Sequence, residues 1–152
     1  MNAETRSEES VMARVSRRFA APAERVFDAW LDPQTARRWL FTTPEGEIVK
    51  CEIDARVGGG YVITDRRDGE ETEHVGEYLE IDRPRRLVFT LAVPKFSPDA
   101  DRVTVEIVPL EGGGCEVTIS HELSAANAHY LEQTAQGWQG LLEGLASALG
   151  EG

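Results

Sequence analysis

The stretch CEIDARVGGGYVITD, residues 51–65, holds three consecutive glycines whose role decides the fold. A phosphate-binding loop follows its glycines with Lys-Ser or Lys-Thr, and a dinucleotide fingerprint opens a helix. Here the glycines lead instead into YVITD, a β pattern, and then into the hairpin signal Asp68-Gly69. Glycine inside a strand pattern marks a bulge or a sharp bend. The stretch therefore predicts a bent strand in a curved sheet and not a nucleotide site.

The sequence on either side of this stretch is largely β in pattern. Apolar and polar residues alternate from residue 11 to residue 19, which predicts a half-buried first strand. Short turns join the later runs, which favours an antiparallel meander. The longest break in the pattern is the loop 94–101. The later strands are predicted at residues 48–54, 60–67, 72–81, 87–93, 103–109 and 115–123.

Two short helices are predicted after the first strand, and one long helix at the C-terminus. The segment APAERVFDAWLDP has a helical apolar face made of Val26, Phe27, Trp30 and Leu31. The next segment, PQTARRWL, predicts a second short helix that ends near Trp39. The long helix is predicted from residue 124 or 125 to residue 149. One of its faces carries Asn127, Leu131, Thr134, Trp138, Leu142 and Leu145.

These elements predict a single α+β domain over residues 11–150, preceded by a disordered polar tail at residues 1–10. The expected architecture is a curved antiparallel sheet wrapped around the long helix, and the space between the two is a candidate pocket. Gly137, Gly140 and Gly144 form a second stripe on that helix. The stripe could contact the protein's own loops or a second subunit, so a homodimer is one of the alternatives.

Composition and charge narrow the classes of partner and cofactor. The formal net charge is −11, which disfavours binding to nucleic acid and to anionic membranes. The N-terminal MNAETRSEES is polar and acidic, unlike a signal peptide, and there is no apolar run of membrane-spanning length. We therefore expect a cytoplasmic protein. Cys51 and Cys115 lack CxxC spacing and there is no zinc-type ligand set, so we expect two buried reduced thiols and no cofactor.

Several stretches, in this order, resemble one known group of proteins. They are APAERVFDAWLDPQTARRWL, DARVGGGYVI, HVGEYLEIDRPRRLVFT, CEVTISHEL and GWQGLLEGLASAL. The chain resembles the START-like (SRPBCC) superfamily and, within it, bacterial proteins similar to the C-terminal domain of the activator of heat-shock-protein-90 ATPase. The resemblance implies the helix-grip fold, with a cavity between the sheet and the last helix.

The resemblance also implies three classes of function. Superfamily members include lipid and hormone carriers, so we expect first the binding of a small hydrophobic or aromatic ligand without catalysis. Chaperone activation in the stress response comes second, because the full eukaryotic activator has an additional N-terminal domain for which 152 residues leave no room. A cyclase- or hydrolase-type enzyme that uses His121 as an acid–base group comes third.

Eight residues are predicted to line the ligand cavity. His121 shares the apolar face of the last strand, where it is either a ligand-binding group or a hydrogen-bonded core histidine. Trp138, with Thr134 one turn before it, is either the floor of the cavity or the core anchor of the helix. His74 and Glu77 lie on opposite faces of their strand and are not a metal pair. The candidate residues are Trp39 and Phe41 at the mouth, Tyr61 and Phe89 on the wall, and His121, Leu131, Thr134 and Trp138.

Overall fold

The computed structural model describes residues 10–97 and 99–151 and shows a curved seven-stranded antiparallel sheet around one long C-terminal helix. This is the predicted helix-grip α+β fold, with two short helices after the first strand. The strands are β1 (Ser10–Phe19), β2 (Glu47–Ile53), β3 (Gly60–Arg67), β4 (Glu70–Asp82), β5 (Arg86–Leu91), β6 (Asp101–Pro109) and β7 (Cys115–Ser124). The helical elements are α1 (Ala23–Leu31), α2 (Pro33–Ala36), a 3-10 helix (Ala125–Tyr130) and α3 (Leu131–Ala148).

The sheet is a meander with one strand added at its edge. Its order is β1-β7-β6-β5-β4-β3-β2, so β2 to β7 follow one another and β1 pairs with β7. The predicted turn between β3 and β4 is confirmed: Asp68 has φ 56° and Gly69 has φ 80°. Two positive φ values suit the tight turn whose twist matches that of the strands. This turn fixes the register of β3 on β4, with Ile63 opposite His74.

The glycine stretch forms the predicted bend. Gly58 has φ 87°, and its N–H donates to the carbonyl of Tyr78 across 3.0 Å. The N–H of Tyr78 donates back to the carbonyl of Gly59 across 2.9 Å. A Cβ at Gly60 would lie 2.5 Å from the carbonyl oxygen of Gly76, so the two backbones meet too closely for a side chain. The glycines thus allow the backbone at the start of β3 to pack closely against β4, and no helix follows them.

The long helix begins later than the sequence predicts. Residues Ala125–Tyr130 form a 3-10 helix in which Asn127 leaves helical geometry, with φ −105° and ψ 19°, and α3 starts only at Leu131. None of the 3-10 residues is buried, so no packing holds them in an α-helical turn. The chain uses this segment to turn from β7 onto the axis of α3.

Two boundaries near the N-terminus also differ from expectation. The predicted disordered tail lies outside the described residues, except for Ser10, which pairs with Ser124 as the first residue of β1. The second short helix ends at Ala36 and not near Trp39, and turns follow it. The reason is that the N–H groups of Arg38 and Trp39 donate to carbonyls three residues back and not four, so the α-helical pattern stops before Trp39. The indole of Trp39 turns inward and donates from Nε1 to the carbonyl of Ala29 across 3.1 Å.

The core lies between the sheet and the inner face of α3, where Trp138, Leu142, Leu145 and Ala146 are buried. On the glycine stripe, a Cβ at Gly137 or Gly140 would meet no described atom within 4 Å, whereas one at Gly144 would lie 3.7 Å from Cβ of Trp39. At two of its three positions the stripe therefore contacts no other described part of the chain. No described helix combines the length and the apolar character needed to cross a bilayer.

Both cysteines carry free thiols, but they differ in burial. Cys115 is fully buried as predicted, and its Sγ lies 3.6 Å from the carbonyl oxygen of Ala21. Cys51 is only half-buried, which corrects the expectation of two buried thiols. The cause is that Cys51 lies on β2, the edge strand of the sheet.

Candidate functional site

The interior of the grip is filled by side chains. A residual void of about 10 Å³ remains there, which is room for about one water molecule at most. Tyr61 donates from its hydroxyl to the carbonyl of Thr90 across 2.7 Å, and burial raises the pKa of this phenol far above its ordinary value. The void is enclosed by Trp30, Leu40, Phe41, Tyr61, Tyr78, Leu87 and Phe89. Phe89 therefore borders the packed core, while Tyr61 borders it and also lines a separate open pocket of about 250 Å³ on β2 and β3.

Two adjoining pockets open along α3, and both are larger than the pocket on β2 and β3 (about 250 Å³) and the one beside α1 (about 200 Å³). The aromatic pocket has a volume of about 310 Å³ and is lined by Phe41, Thr42, Thr43, His74, Leu91, Val93, Thr134, Gly137, Trp138 and Leu141. The acidic pocket has a volume of about 810 Å³ and is lined by Leu91, Val93, Phe96, Ser97, Asp99, Asp101, His121, Leu123, Asn127, Tyr130, Gln133 and Thr134. Leu91, Val93 and Thr134 belong to both, so the two pockets form one groove.

The wall of the aromatic pocket is a stack of rings. The Phe41 and His74 rings are nearly parallel, at 5°, with centroids 4.5 Å apart, and the Phe41 and Trp138 centroids are 5.9 Å apart. Phe41 has φ 60°, a left-handed conformation that is uncommon outside glycine. It lines both the aromatic pocket and the closed void. Phe41 is therefore the partition between the groove and the core.

His74 is a neutral ring in this wall. Its Nδ1 lies 3.3 Å from the carbonyl oxygen of Ile63, and a carbonyl can only accept, so Nδ1 carries the proton. Burial lowers the pKa of His74, while hydrogen bonding to Ile63 and the charge of Asp65 oppose the shift. Asp65 lies behind the pocket and accepts a hydrogen bond at Oδ2 from the Thr43 hydroxyl across 3.1 Å.

A chain of hydrogen bonds joins α3 to the acidic pocket. Trp138 Nε1 donates to His121 Nδ1 across 2.9 Å, and His121 Nε2 lies 2.9 Å from Asp101 Oδ2. An indole N–H only donates, so Nδ1 accepts and the imidazole proton is on Nε2, where it donates to the carboxylate. Both ring nitrogens of His121 are thus occupied by the protein's own groups. This is the geometry of a hydrogen-bonded core histidine at the edge of a pocket.

The structure brings four of the eight candidate residues to the groove: Phe41, His121, Thr134 and Trp138. It does not place the other four on the described walls of either pocket. Trp39 is fully buried under α3, and Leu131 is half-buried at the first turn of that helix. The alternation pattern shows which face of an element is apolar, but the packing of rings inside the grip decides which side chains fill the core.

Two important residues of the groove, His74 and Asp101, are not among the sequence candidates. A signal for each was present in the strand registers. A two-residue turn at Asp68-Gly69 pairs Ile63 with His74, so their side chains share one face. Likewise Val103 pairs with His121, which places Asp101 diagonally opposite the imidazole. Among the described residues, no three His, Cys, Asp or Glu side chains converge as metal ligands.

Known proteins share this architecture. A protein of known structure from Chromobacterium violaceum is 29% identical, with a TM-score of 0.77 over 90% of this chain and 95% of that chain. For an AHSA1-like protein from Aeromonas hydrophila, the values are 21% identity, a TM-score of 0.78, and 91% and 92%. For a protein from Staphylococcus aureus, they are 19%, 0.81, and 92% and 93%. The last two likenesses show the fold alone.

No curated protein matches the sequence significantly. A family model does match it: residues 20–150 fit the family described as "Activator of Hsp90 ATPase homolog 1-like protein". This confirms the resemblance that the sequence motifs suggest. Because the match covers nearly the whole described chain, the protein belongs to the Activator of Hsp90 ATPase homolog 1-like family.

Proposed function

We propose that the protein binds a small amphipathic ligand in the groove along α3. The observation that carries the proposal is the contrast in free volume, about 10 Å³ inside the grip against about 310 and 810 Å³ in the two adjoining pockets. Small-molecule sites typically have volumes of roughly 300–1,000 Å³ and mix apolar walls with a few polar groups. The groove has both properties, so the ligand lies at the surface of α3 and not in the core.

The two pockets suit different parts of one ligand. The aromatic pocket offers the faces of Phe41, His74 and Trp138, which favour a flat apolar group. The acidic pocket offers side-chain amides on Asn127 and Gln133 beside the carboxylate of Asp101. An apolar part of the ligand over Trp138 and a polar end near Asp101 would use both, with Thr134 at the junction.

Phe41 gives the groove a means of accepting larger ligands. Because Phe41 separates the aromatic pocket from the void beside Tyr61 and Tyr78, rotation of its ring would join the two spaces. A ligand that replaces the Phe41 ring against His74 would then reach Tyr61 and Phe89, the two residues predicted from the sequence to form the cavity wall.

Titration with a neutral apolar fluorophore, N-phenyl-1-naphthylamine, tests the proposal. We expect saturable binding of one probe per chain, with energy transfer from Trp138, whose indole lines the pocket. The Trp30 and Trp138 rings are only 6.0 Å apart, so the variants are compared by affinity and not by the amount of transfer. Trp138→Phe should weaken binding because it removes part of the pocket wall, while Trp30→Phe, a change in the core, should leave the affinity unchanged. An absence of saturable binding would contradict the proposal. If the probe binds, native mass spectrometry of gently purified protein would identify a natural ligand by its mass.

The family's description suggests a second function, stimulation of an Hsp90-type ATPase. The favouring observation is a pair of exposed aromatic residues at the rim of the acidic pocket, Phe96 (75% exposed) and Tyr130 (47% exposed). Exposed aromatic residues mark surfaces that contact other proteins. We expect the double variant Phe96→Ser, Tyr130→Ser to lose any stimulation of the chaperone from the same organism. No stimulation by the unmodified protein would exclude this function.

A further inference from the structure

The acidic pocket has an unbalanced charge. Asp99 and Asp101 are its charged residues, and among the described residues that line either pocket none is Lys or Arg. The nearest cations in sequence are directed elsewhere. Lys95 pairs through Nζ with Oε1 of Glu70, at 3.6 Å, beside the β3–β4 turn. Arg102 is exposed and alternates with Asp101 on β6, so it lies on the other face of the sheet.

The histidine of the pocket does not balance this charge in the arrangement seen. The indole N–H of Trp138 occupies Nδ1 of His121 as a donor, so a second imidazole proton would face it. His121 therefore acts as a neutral donor that orients the carboxylate of Asp101 through Oδ2. The Asp101 side chain remains 32% exposed, so the carboxylate is held in place but still accessible from the groove.

Aromatic faces stand beside these carboxylates. Tyr130 and Phe96 both line the acidic pocket and are largely exposed, and Trp138 lies on the adjoining wall. Organic cations bind to such faces through the quadrupole of the ring, and a nearby carboxylate adds a direct charge attraction. The net charge of −11 adds a long-range attraction for cations and a repulsion for anions.

We infer that the groove selects a cationic amphiphile, an organic amine whose ammonium group lies against Asp101 and the Tyr130 face and whose apolar part lies over Trp138. This inference rests on the proposed function and adds the charge class of the ligand. An ammonium beside Asp101 would supply the positive charge that the described walls lack. A carboxylate or phosphate in the same place would be repelled.

Three dansyl probes of similar length test the charge preference: dansylcadaverine as the amine, its N-acetyl derivative as the neutral form, and dansyl-6-aminohexanoic acid as the anion. We expect the amine to bind most tightly and the anion least. Asp101→Asn keeps an acceptor for His121 Nε2 but removes the charge. It should weaken binding of the amine by about five- to tenfold and change binding of the neutral probe less than about twofold.

Glu122→Gln is the matched control. It removes one negative charge from the same sheet, but Glu122 lies on the opposite face of β7 from His121. It should leave binding of all three probes unchanged. Asp99→Asn is the second test variant and should weaken binding of the amine alone. Equal affinity for the three probes, or tightest binding of the anion, would overturn the charge assignment while leaving the proposed function intact. If no probe binds, the proposed function itself fails.

Discussion

Trp138 Nε1 donates a hydrogen bond to Nδ1 of His121 across 2.9 Å and so ties the gripped helix to the last strand of the sheet. His121 passes the contact on to Asp101 at the start of β6, also across 2.9 Å. The chain of three groups runs from the aromatic pocket to the acidic pocket. It fixes the tautomer of His121 and the position of the carboxylate, so one buried interaction serves both stability and the candidate site.

Removing the indole N–H of Trp138 should lower the free energy of unfolding, because its acceptor, Nδ1 of His121, is then left without a hydrogen bond. We expect Trp138→Phe to leave Nδ1 of His121 without its donor, at a cost of about 1–3 kcal/mol beyond lost packing. Trp30→Phe is the matched control, because the Nε1 atom of Trp30 is buried without a hydrogen-bond partner among the described residues. Urea unfolding should show the larger loss for Trp138→Phe. Equal losses would contradict the role given to this hydrogen bond.

At Phe41 a glycine variant should be more stable than an alanine variant, which is the reverse of the usual order of stability. Both Phe41→Ala and Phe41→Gly remove a buried ring, and we expect losses of roughly 3–5 kcal/mol in the free energy of unfolding. Because φ is 60° at this position, the glycine variant should be the more stable of the two by about 1 kcal/mol. Denaturant titration measures the difference. A more stable alanine variant would show that this φ is not maintained in solution.

His74 should make stability depend on pH. Burial lowers its folded pKa below the ordinary value of 6.5, opposed in part by Ile63, Asp65 and Thr72. Below about pH 6.5 the unfolded chain therefore binds a proton that the folded chain does not, so stability falls as the pH decreases through this range. At higher pH both states are neutral at His74 and the effect vanishes.

Unfolding measured from pH 8 to pH 5 tests this dependence. His74→Gln should flatten the decline below about pH 6.5 relative to the unmodified protein. His129→Gln, at an exposed position in the 3-10 helix, is the control for loss of a histidine. If the slope is the same with and without His74, then the ring is not held in the desolvated position that the structure gives it.

The succession of strands along the chain and the turns between them were predictable because their signals are local, whereas the pairing of β1 with β7 was not predicted. Alternation identifies the face of β7 that bears His121, and Asp68-Gly69 specifies both a turn and the register that follows from it. The glycine stretch at residues 58–60 excludes a phosphate loop by what comes after it. These signals depend on the backbone and on the nearest neighbours in sequence, and the fold follows from them.

The location of the groove was not predictable in the same way. Trp39, Tyr61 and Phe89 have the apolar character of pocket residues, yet they fill the core. Trp39 and Phe89 both pack against the ring of Trp30, and Tyr61 packs against Phe89. The acidic pocket depends on the 3-10 helix, where Asn127 leaves helical geometry, and on the loop before β6. Both are connections between elements whose path is set by tertiary packing, and periodicity carries no information about that packing.

Blocking the groove from α3 tests whether ligands bind there. A Cβ at Gly137 would meet no described atom within 4 Å, and Gly137 lines the aromatic pocket, so Gly137→Leu places a side chain in the groove without disturbing the core. Gly140→Leu is the matched control, since it has equal space on the same helix but does not line either pocket. Helix propensity should make both variants slightly more stable, by up to about 1 kcal/mol.

The decisive measurement is the affinity of these two variants for N-phenyl-1-naphthylamine beside that of the unmodified protein. We expect Gly137→Leu to weaken binding by about tenfold or more, roughly 1.4 kcal/mol, and Gly140→Leu to change it less than about twofold. Equal affinities in all three proteins, with both variants folded, would contradict the assignment of the ligand site to the groove along α3.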